Sequence, residues 1–117
     1  KLRKDEARIQ WTRSADQLAL DIRAYNPEPM AWTLLSDLRV RLIAADSVAD
    51  YPFTQQDGKS PPGTVLALGK DGILVKCGQG VLRITRLQLP LGKGTPQHAR
   101  DILNARAGLF AVGKQFE

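Results

Sequence analysis

Between residues 63 and 89, short apolar runs alternate with glycine-containing turns, and this pattern constrains the fold more than any other feature of the chain. The apolar runs span residues 64–68, 73–77 and 81–89. The first turn contains Asp71-Gly72, a pair that suits the positive φ angles of a tight hairpin. The second turn is Gly78-Gln79-Gly80. The region therefore predicts a β-meander, in which consecutive strands pair antiparallel.

The last run of this meander changes the phase of its alternation. Leu82 and Ile84 fall on one face of a strand, but Leu87 and Leu89 join that face only if one residue is inserted between the two pairs. An extra residue near Thr85-Arg86 keeps all four apolar side chains buried. We therefore predict a β-bulge there, a device that barrels use to bend a strand.

The N-terminal part predicts an extended segment followed by a helix. Apolar and polar residues alternate over 7–11, which indicates a short strand or extended segment with one buried face. Ser14 and Gln17 have the spacing of a capping box, and an apolar stripe at helical spacing follows up to Tyr25. Asn26-Pro27 ends this helix, because proline disfavours the helical conformation in the residue before it.

The middle of the chain predicts a hairpin and then a loop. Apolar residues at 31–35 and 40–45 flank the polar turn Ser36-Asp37. Residues 46–62 contain Pro61-Pro62 and little hydrophobic pattern, which is typical of a long surface loop.

A last helix completes the predicted elements. Thr95-Pro96 opens it, with threonine as the N-cap and proline at the first helical position, and Gly108 ends it. Leu109, Phe110 and Phe116 follow and can pack back on the sheet. Together these elements predict a mainly β fold with flanking helices, of the α+β class.

Composition narrows the possible chemistry. The 117 residues, of 12.9 kDa, fit one domain. The chain has one cysteine, Cys77, and one histidine, His98, which excludes an internal disulfide and a Cys/His zinc site and favours a reducing compartment. No run approaches the ~18 apolar residues of a membrane helix. The charged residues 1–6 are not followed by the apolar segment of a signal peptide. We therefore expect neither a membrane helix nor a signal peptide.

The positive charge is concentrated in one half of the chain. The net charge is +5, and residues 63–117 carry eight basic residues against three acidic ones, so this half holds the whole surplus. A field of one sign attracts polyanions and accelerates their encounter. A merely solvated surface is the alternative interpretation.

Motifs for catalysis are weak. The glycines at 78–80 and 92–94 lack the spacing of a phosphate-binding loop and are better explained as turns. Cys77 lies in an apolar strand, which predicts a small core residue, and His98 in the last helix is expected to be exposed. The residues therefore favour a binding module over a complete enzyme.

Basic residues recur on successive predicted hairpins, where outward side chains of neighbouring strands line one face. These residues are Lys70, Lys76, Arg83 and Arg86, and the N-terminal arm extends the face with Lys1, Arg3 and Lys4. The aromatic residues fall largely outside the basic strands, and Trp11 and Trp32 lie in apolar contexts that favour core positions. Single-strand binders interleave aromatic and basic side chains. This pattern instead favours contact with the phosphates of a folded, mostly double-helical RNA.

Five short motifs follow one another along nearly the whole chain. The first two are Lys1-Leu2-x-Lys4-x-Glu6-Ala7-x-Ile9-x-Trp11 and Ile22-Arg23-Ala24-Tyr25-Asn26-Pro27-x-Pro29-Met30-Ala31-Trp32. The other three are Pro62-Gly63-Thr64-Val65, Gly72-Ile73-x-Val75-x-Cys77-Gly78-x-Gly80-x-Leu82-x-Ile84 and Leu87-Gln88-x-Pro90-x-Gly92-Lys93. In this order they resemble the C-terminal domain of the methionyl-tRNA formyltransferase family. Arg23-Ala24-x-Asn26-Pro27 is interpreted as architectural, because a helix stop and a proline turn explain it without RNA.

The resemblance implies an open OB-like Greek-key β-barrel, with residues 1–12 as a linker arm and first short strand and residues 13–117 as the single barrel domain. The family's full enzyme transfers a formyl group from 10-formyltetrahydrofolate to the methionyl group of initiator tRNA, for translation initiation in the bacterial cytoplasm. Its catalytic and folate sites lie in an N-terminal domain, so no catalytic residue, metal or cofactor is expected in this chain. The implied partners are initiator methionyl-tRNA and that N-terminal domain, in a monomeric enzyme with no membrane role.

Charge and resemblance together predict a set of tRNA phosphate contacts: Lys1, Lys4, Lys70, Lys76, Arg83, Arg86 and Lys93. Lys1 and Lys4 match basic positions at the family's domain linker. Lys93 matches a loop position that another basic residue usually follows, whereas this chain has Gly94.

The alternative from another class is a structural C-terminal module. Related domains are attached to formyltetrahydrofolate hydrolases and dehydrogenases and to sugar formyltransferases, which have no RNA substrate. A spacer has no need of a charge concentrated in one half, so the charge favours the tRNA-binding interpretation.

Overall fold

The protein is built on one antiparallel β-sheet with helices beside it, and the structure, a computed structural model, describes residues 5–117. In that range the strands are β1 (Ala31–Leu35), β2 (Leu38–Val48), β3 (Val65–Gly69), β4 (Gly72–Lys76), β5 (Val81–Gln88) and β6 (Gln97–His98). The helices are a 3-10 turn (Asp5–Ala7), α1 (Ala15–Tyr25), α2 (Gln55–Lys59) and α3 (Ala99–Ala105). The predicted class, mainly β with flanking helices, is confirmed.

The strand order of the sheet is β1-β2-β5-β4-β3, with β6 paired to the end of β5. Within residues 5–117 the edge strands β1 and β3 do not pair with each other, so closure into a barrel is not confirmed. The last residues of the chain cross between the two edges instead. Phe116 forms a bridge with Leu35 of β1, and Gln115 forms one with Thr64 just before β3.

The bulge that the leucine phase predicts is present in β5. The pairing of β2 with β5 steps from Arg86 opposite Ala44 to Ile84 opposite Ala45, and so it skips Thr85. The Thr85 hydroxyl donates to the Ala44 carbonyl at 3.2 Å, which holds the irregular stretch in place. The bulge keeps one face of β5 apolar over its full length while Arg86 is exposed. The buried residues of that face are Leu82, Ile84 and Leu87, and Leu89, directly after the strand, is buried as well.

Helix α1 starts and ends as the sequence predicts. The Ser14 hydroxyl accepts a hydrogen bond from the Gln17 N–H at 3.1 Å and caps the first turn. At the other end the Asn26 side-chain amide donates to the carbonyls of Ile22 (2.6 Å) and Leu42 (3.0 Å). Asn26 therefore ends the helix and ties it to β2.

The core lies between the inner face of the sheet, α1, α3, residues 7–11 and the C-terminal residues 109–116. The predicted extended segment is shorter than residues 7–11, because Ala7 belongs to the 3-10 turn and Trp11 begins a turn. The burial of Ala7, Ile9 and Trp11 follows the predicted alternation. Trp11 stacks on Phe116 with ring centroids 5.5 Å apart, and Phe110 packs on Phe116 at 6.1 Å. The predicted packing of Phe110 and Phe116 on the sheet is confirmed.

The segment 46–62 is more ordered than its composition predicts. Strand β2 continues to Val48, and the short helix α2 follows. Thr54 and Asp57 form a reciprocal capping box, in which each side chain accepts the other's backbone N–H at 3.0 Å. The prediction of a loop over 46–62 is therefore wrong for the end of β2 and for α2. Helix α2 is held by polar caps on its backbone groups, and a search for hydrophobic patterns does not detect such caps.

Lys76 of β4 holds the end of α2. Its ammonium group donates to the carbonyls of Asp57 (2.7 Å), Gly58 (3.1 Å) and Ser60 (2.7 Å). Helix α2 buries no side chain of its own. Its position therefore depends on this charge-assisted contact.

Replacing Lys76 with methionine should release α2, because the aliphatic stem remains but all three hydrogen bonds are lost. We expect a destabilisation of about 1–3 kcal/mol and much faster amide hydrogen exchange over residues 54–60. Lys70→Met, in an exposed turn, is the matched control and should leave that protection unchanged. Unchanged exchange in Lys76→Met would show that the ammonium does not order the helix.

The last helix begins later than predicted. Gln97 and His98 pair with Leu87 and Arg86 of β5, so the chain is extended where Thr95-Pro96 predicts a helix start. His98 occupies the N-cap and makes no side-chain capping bond. The prediction is wrong because pairing with β5 competes with the local signal. No helix within residues 5–117 has the length and apolar character needed to cross a membrane.

Candidate nucleic-acid interface

Three predicted phosphate contacts have exposed side chains. Lys70 lies in the turn between β3 and β4, Arg86 follows the bulge of β5, and Lys93 lies in the loop after β5. Among residues 5–117 these three have no ion pair or side-chain hydrogen bond. Lys1 and Lys4 lie outside the described residues, so their contacts stay predictions.

The other two predicted contacts, Lys76 and Arg83, have intramolecular partners. Lys76 binds the carbonyls at the end of α2. The Arg83 guanidinium donates from Nε to Asp46 Oδ1 at 3.0 Å and from Nη2 to Asp46 Oδ2. This bidentate bond raises the pKa of Arg83 and offsets its charge. Both residues would have to exchange these contacts for phosphate.

Lys70 lies beside a basic residue that the sequence interpretation missed. Arg100, in the first turn of α3, lines two adjoining grooves together with Lys70. The groove nearer β5 also contains His98, Thr85 and one acidic residue, Asp71. The sequence prediction selected basic residues on the hairpins, the arm and the Gly92-Lys93 loop, and Arg100 lies on a helix, so it was not among them.

Arg86 also has a basic neighbour. Arg23 of α1 and Arg86 of β5 line one open groove of about 640 Å³. Sequence interpretation assigned the Arg23 motif to architecture, but Asn26 performs that task through its bonds to Ile22 and Leu42. Both guanidiniums are exposed and have no ion pair in the described part of the chain.

These residues form one basic surface, which we call the cationic band: Arg23, Arg86, Arg100 and Lys70. Arg23 shares a groove with Arg86, Arg86 pairs in the sheet with His98, and His98 shares a groove with Arg100 and Lys70. The band thus runs from α1 across the end of β5 to the β3–β4 turn. Its four charges have no carboxylate partner in residues 5–117, so their field points into solvent.

Trp32 does not lie in the core, where its apolar sequence context predicts it. It lies on the outer face of β1 and is only partly buried. The guanidinium carbons of Arg39 and Arg8 lie 4.0 and 5.3 Å from its ring centroid, an arrangement in which cations stack on an aromatic face. Trp11 is in the core as predicted, and its indole N–H donates to Thr33 Oγ1 at 2.9 Å.

Cys77 is a core residue, as predicted, and its surroundings oppose reactivity. Burial raises the pKa of its thiol to about 12 from an ordinary value of 9.0, against a weak opposing effect of the Leu82 backbone. The native state therefore favours the neutral thiol. As the pH rises from about 9 to about 12, the thiol ionises more readily in the unfolded chain, so the native state loses stability.

Iodoacetamide should consequently leave the native protein unmodified at pH 8 and alkylate Cys77 only after unfolding in urea. Mass spectrometry of the intact protein measures this directly. Alkylation of the native protein at the rate of the unfolded chain would contradict the burial of the thiol.

Comparison with known sequences places these features in a family. Residues 1–107 match the family described as formyl transferase, C-terminal domain. A methionyl-tRNA formyltransferase of Pseudomonas syringae pv. tomato is 46% identical over 113 residues, which cover 97% of this chain and 33% of that protein. The corresponding protein of Pseudomonas savastanoi pv. phaseolicola is 47% identical with the same coverage. The chain thus spans about a third of the length of the curated relatives it matches.

Solved structures show the same fold at low sequence identity. HypX from Aquifex aeolicus in complex with tetrahydrofolic acid has a TM-score of 0.67 and 20% identity, over 88% of this chain and 17% of that chain. A variant of HypX has a TM-score of 0.69 over 93% of this chain and 18% of its own. At such identity the likeness concerns the fold alone. Since the family match covers residues 1–107, this chain belongs to the formyl transferase C-terminal domain family.

Proposed function

We propose that this chain is the tRNA-binding C-terminal domain of a methionyl-tRNA formyltransferase, which formylates initiator methionyl-tRNA with 10-formyltetrahydrofolate. The observation that carries the proposal is the cationic band, whose four charged side chains form no ion pair with any described residue. Relatives about 45% identical to this chain bear that enzyme's name and support the assignment.

The remainder of the enzyme follows from the same proposal. An N-terminal domain of the same polypeptide supplies catalysis and uses the formyl donor, so this domain needs neither a catalytic residue nor a cofactor. Residues 1–12 form the arm that joins the two, and the enzyme works as a cytoplasmic monomer. The open sheet is an OB-like Greek-key barrel, an assignment supported by the C-terminal residues that cross between β1 and β3.

The domain binds by neutralising phosphates, which provides affinity and orientation but little sequence selectivity. Among the predicted contacts, Lys70, Arg86 and Lys93 contribute most, and Arg23 and Arg100 join them, because all five side chains are exposed. Lys76 and Arg83 contribute least, since phosphate must compete with partners they already have. Lys1 and Lys4, which lie outside the described residues, stay predicted phosphate contacts at the domain linker.

The test is a titration of the chain with folded initiator tRNA at several salt concentrations. Weak binding with a log–log slope of several units is expected, and removing one band residue should reduce the slope by about 1. Arg86→Gln and Arg100→Gln are the informative variants. Arg13→Gln is the control, because Arg13 already pairs with Asp21 at 2.7 Å.

No binding even at low salt would overturn the proposal, and equal slopes for all three variants would reject the cationic band. Absence of binding would favour the alternative, a structural module of another formyltetrahydrofolate enzyme. The likeness in fold to HypX, solved with tetrahydrofolic acid, is compatible with that alternative. The methionyl-tRNA formyltransferase relatives favour the tRNA-binding role.

A further inference from the structure

The groove shared by Arg23 and Arg86, which we call the α1 groove, is more than a phosphate-binding surface. Its volume of about 640 Å³ falls within the roughly 300–1,000 Å³ of clefts that hold small ligands. One side of α1, the turn after it and the irregular part of β2 form its walls, and the end of β5 completes it.

The lining combines an apolar surface with two cations. The apolar residues are Ala19, Ile22, Pro27, Met30, Ile43, Ala44, Ala45 and Pro96. Among the residues that the structure describes, no acidic one lines the groove, and Arg23 and Arg86 come from two different elements, α1 and β5. An anion alone does not need the apolar surface, and an apolar ligand does not need two guanidiniums without ion pairs.

The local backbone holds this surface in place. The β2–β5 pairing steps from Leu42 opposite Leu87 to Ala44 opposite Arg86, so Ile43 is an extra residue displaced from the regular ladder and only half-buried. Met30 has a φ of 79°, an unusual angle for a non-glycine residue, and its N–H donates to the Tyr25 carbonyl at 2.7 Å. A residue held at such an angle is positioned by its surroundings.

We propose that the α1 groove binds one unpaired nucleotide of the RNA, with its base on the apolar surface and its phosphate between Arg23 and Arg86. This inference rests on the proposed RNA-binding function and names a site for it. The fork of a guanidinium matches phosphate geometry, and the flat face of an unpaired base can pack on apolar side chains as well as on aromatic ones. The site therefore adds affinity for unpaired RNA to the shape-based contacts of the cationic band.

Met30 provides a direct probe, because it is the only methionine of the sequence and lines the groove. Labelling the methionine methyl group with carbon-13 produces one NMR signal. A short single-stranded oligoadenylate and adenosine 5′-monophosphate should both shift it through the ring current of the base. Ribose 5-phosphate, which lacks a base, should not. The oligonucleotide should bind more tightly, since it adds phosphate contacts on the band.

Two substitutions in one helix test where the base lies. Ala19→Leu fills the groove and should weaken oligonucleotide binding about tenfold without changing its salt slope, because the base loses its apolar contact surface while the phosphate contacts remain. Ala24→Leu makes the same change at an exposed position outside the lining, and should have no effect. The double variant Arg23→Gln/Arg86→Gln should weaken binding and also lower the slope by about 2. The Met30 signal of each free variant checks that it has folded.

The outcomes separate the two proposals. A silent Met30 signal, together with salt-dependent tRNA binding, overturns the nucleotide site and leaves the proposed function standing. Loss of tRNA binding itself overturns both. Equal effects of Ala19→Leu and Ala24→Leu also overturn the site. An affinity for adenosine monophosphate equal to that for the oligonucleotide would also overturn the proposed RNA site, because the groove would then bind a free nucleotide.

Discussion

Replacing Gly78 with alanine should destabilise the protein by about 3 kcal/mol or more. A Cβ atom on Gly78 would lie 1.8 Å from the Thr12 carbonyl oxygen, so the two backbones would have to separate. The Gly78 N–H donates to the carbonyls of Trp11 (2.8 Å) and Arg13 (3.0 Å), and separation would break these bonds. Overpacking and unmade buried hydrogen bonds each contribute about 1–3 kcal/mol. Urea denaturation measures the change.

Gly58→Ala is the matched control for this substitution. No atom of residues 5–117 lies within 4 Å of a Cβ placed on Gly58, and the residue is inside helix α2. Alanine there should stabilise the protein by about 0.5–1 kcal/mol, because it restricts the unfolded chain. Similar small effects of the two substitutions would contradict the close approach at Thr12.

Phe116→Ala should cost about 3–5 kcal/mol, the usual loss for a buried aromatic residue. Phe116 is 1% exposed and stacks on Trp11, and its N–H donates to the Gly63 carbonyl at 2.8 Å. Next to it, Leu34 and Glu117 exchange two backbone hydrogen bonds, of 2.8 and 3.1 Å. The ring therefore anchors the segment that crosses between β1 and β3. Thermal unfolding should show a decrease in Tm of more than about 10 °C.

The same substitution at Phe53 distinguishes core packing from general loss of an aromatic ring. Phe53 is 45% exposed and contacts the ring of Tyr51 at 5.3 Å. Its replacement by alanine should cost less than about 1 kcal/mol. If Phe116→Ala proved equally mild, the C-terminal segment would have no role in holding the two edges of the sheet together.

Two members of the cationic band, Lys70 and Arg86, could be predicted from the sequence, because local turns and bulges determine their exposure. Lys70 and Arg86 are exposed because a hairpin turn and a bulge direct their side chains outward, and both features are encoded by neighbouring residues. The internal partner of Arg83 could not be predicted in the same way. Asp46 lies 37 residues away and reaches Arg83 only through the pairing of β2 with β5.

Trp32 shows how a local pattern can be present and still be misinterpreted. The burial of β1 alternates, with Ala31, Thr33 and Leu35 inside and Trp32 on the outer face. Thr33 takes the inner position because its hydroxyl accepts from Trp11 and donates to the Glu117 carbonyl, both at 2.9 Å. Hydrophobicity alone favours tryptophan over threonine for the core, and only these distant partners reverse the order.

The sequence by itself determined the features that depend on neighbours a few residues apart: the meander, the bulge phase, and the start and end of α1. Period-two alternation, glycine turns and side-chain caps act over such distances, so they are visible in the linear chain. Tertiary structure decided the strand order, the contact of Lys76 with α2, the late start of α3 and the grouping of Arg23 with Arg86. Each of these depends on groups far apart in sequence, whose hydrogen bonds and charges act only after the sheet has brought them together.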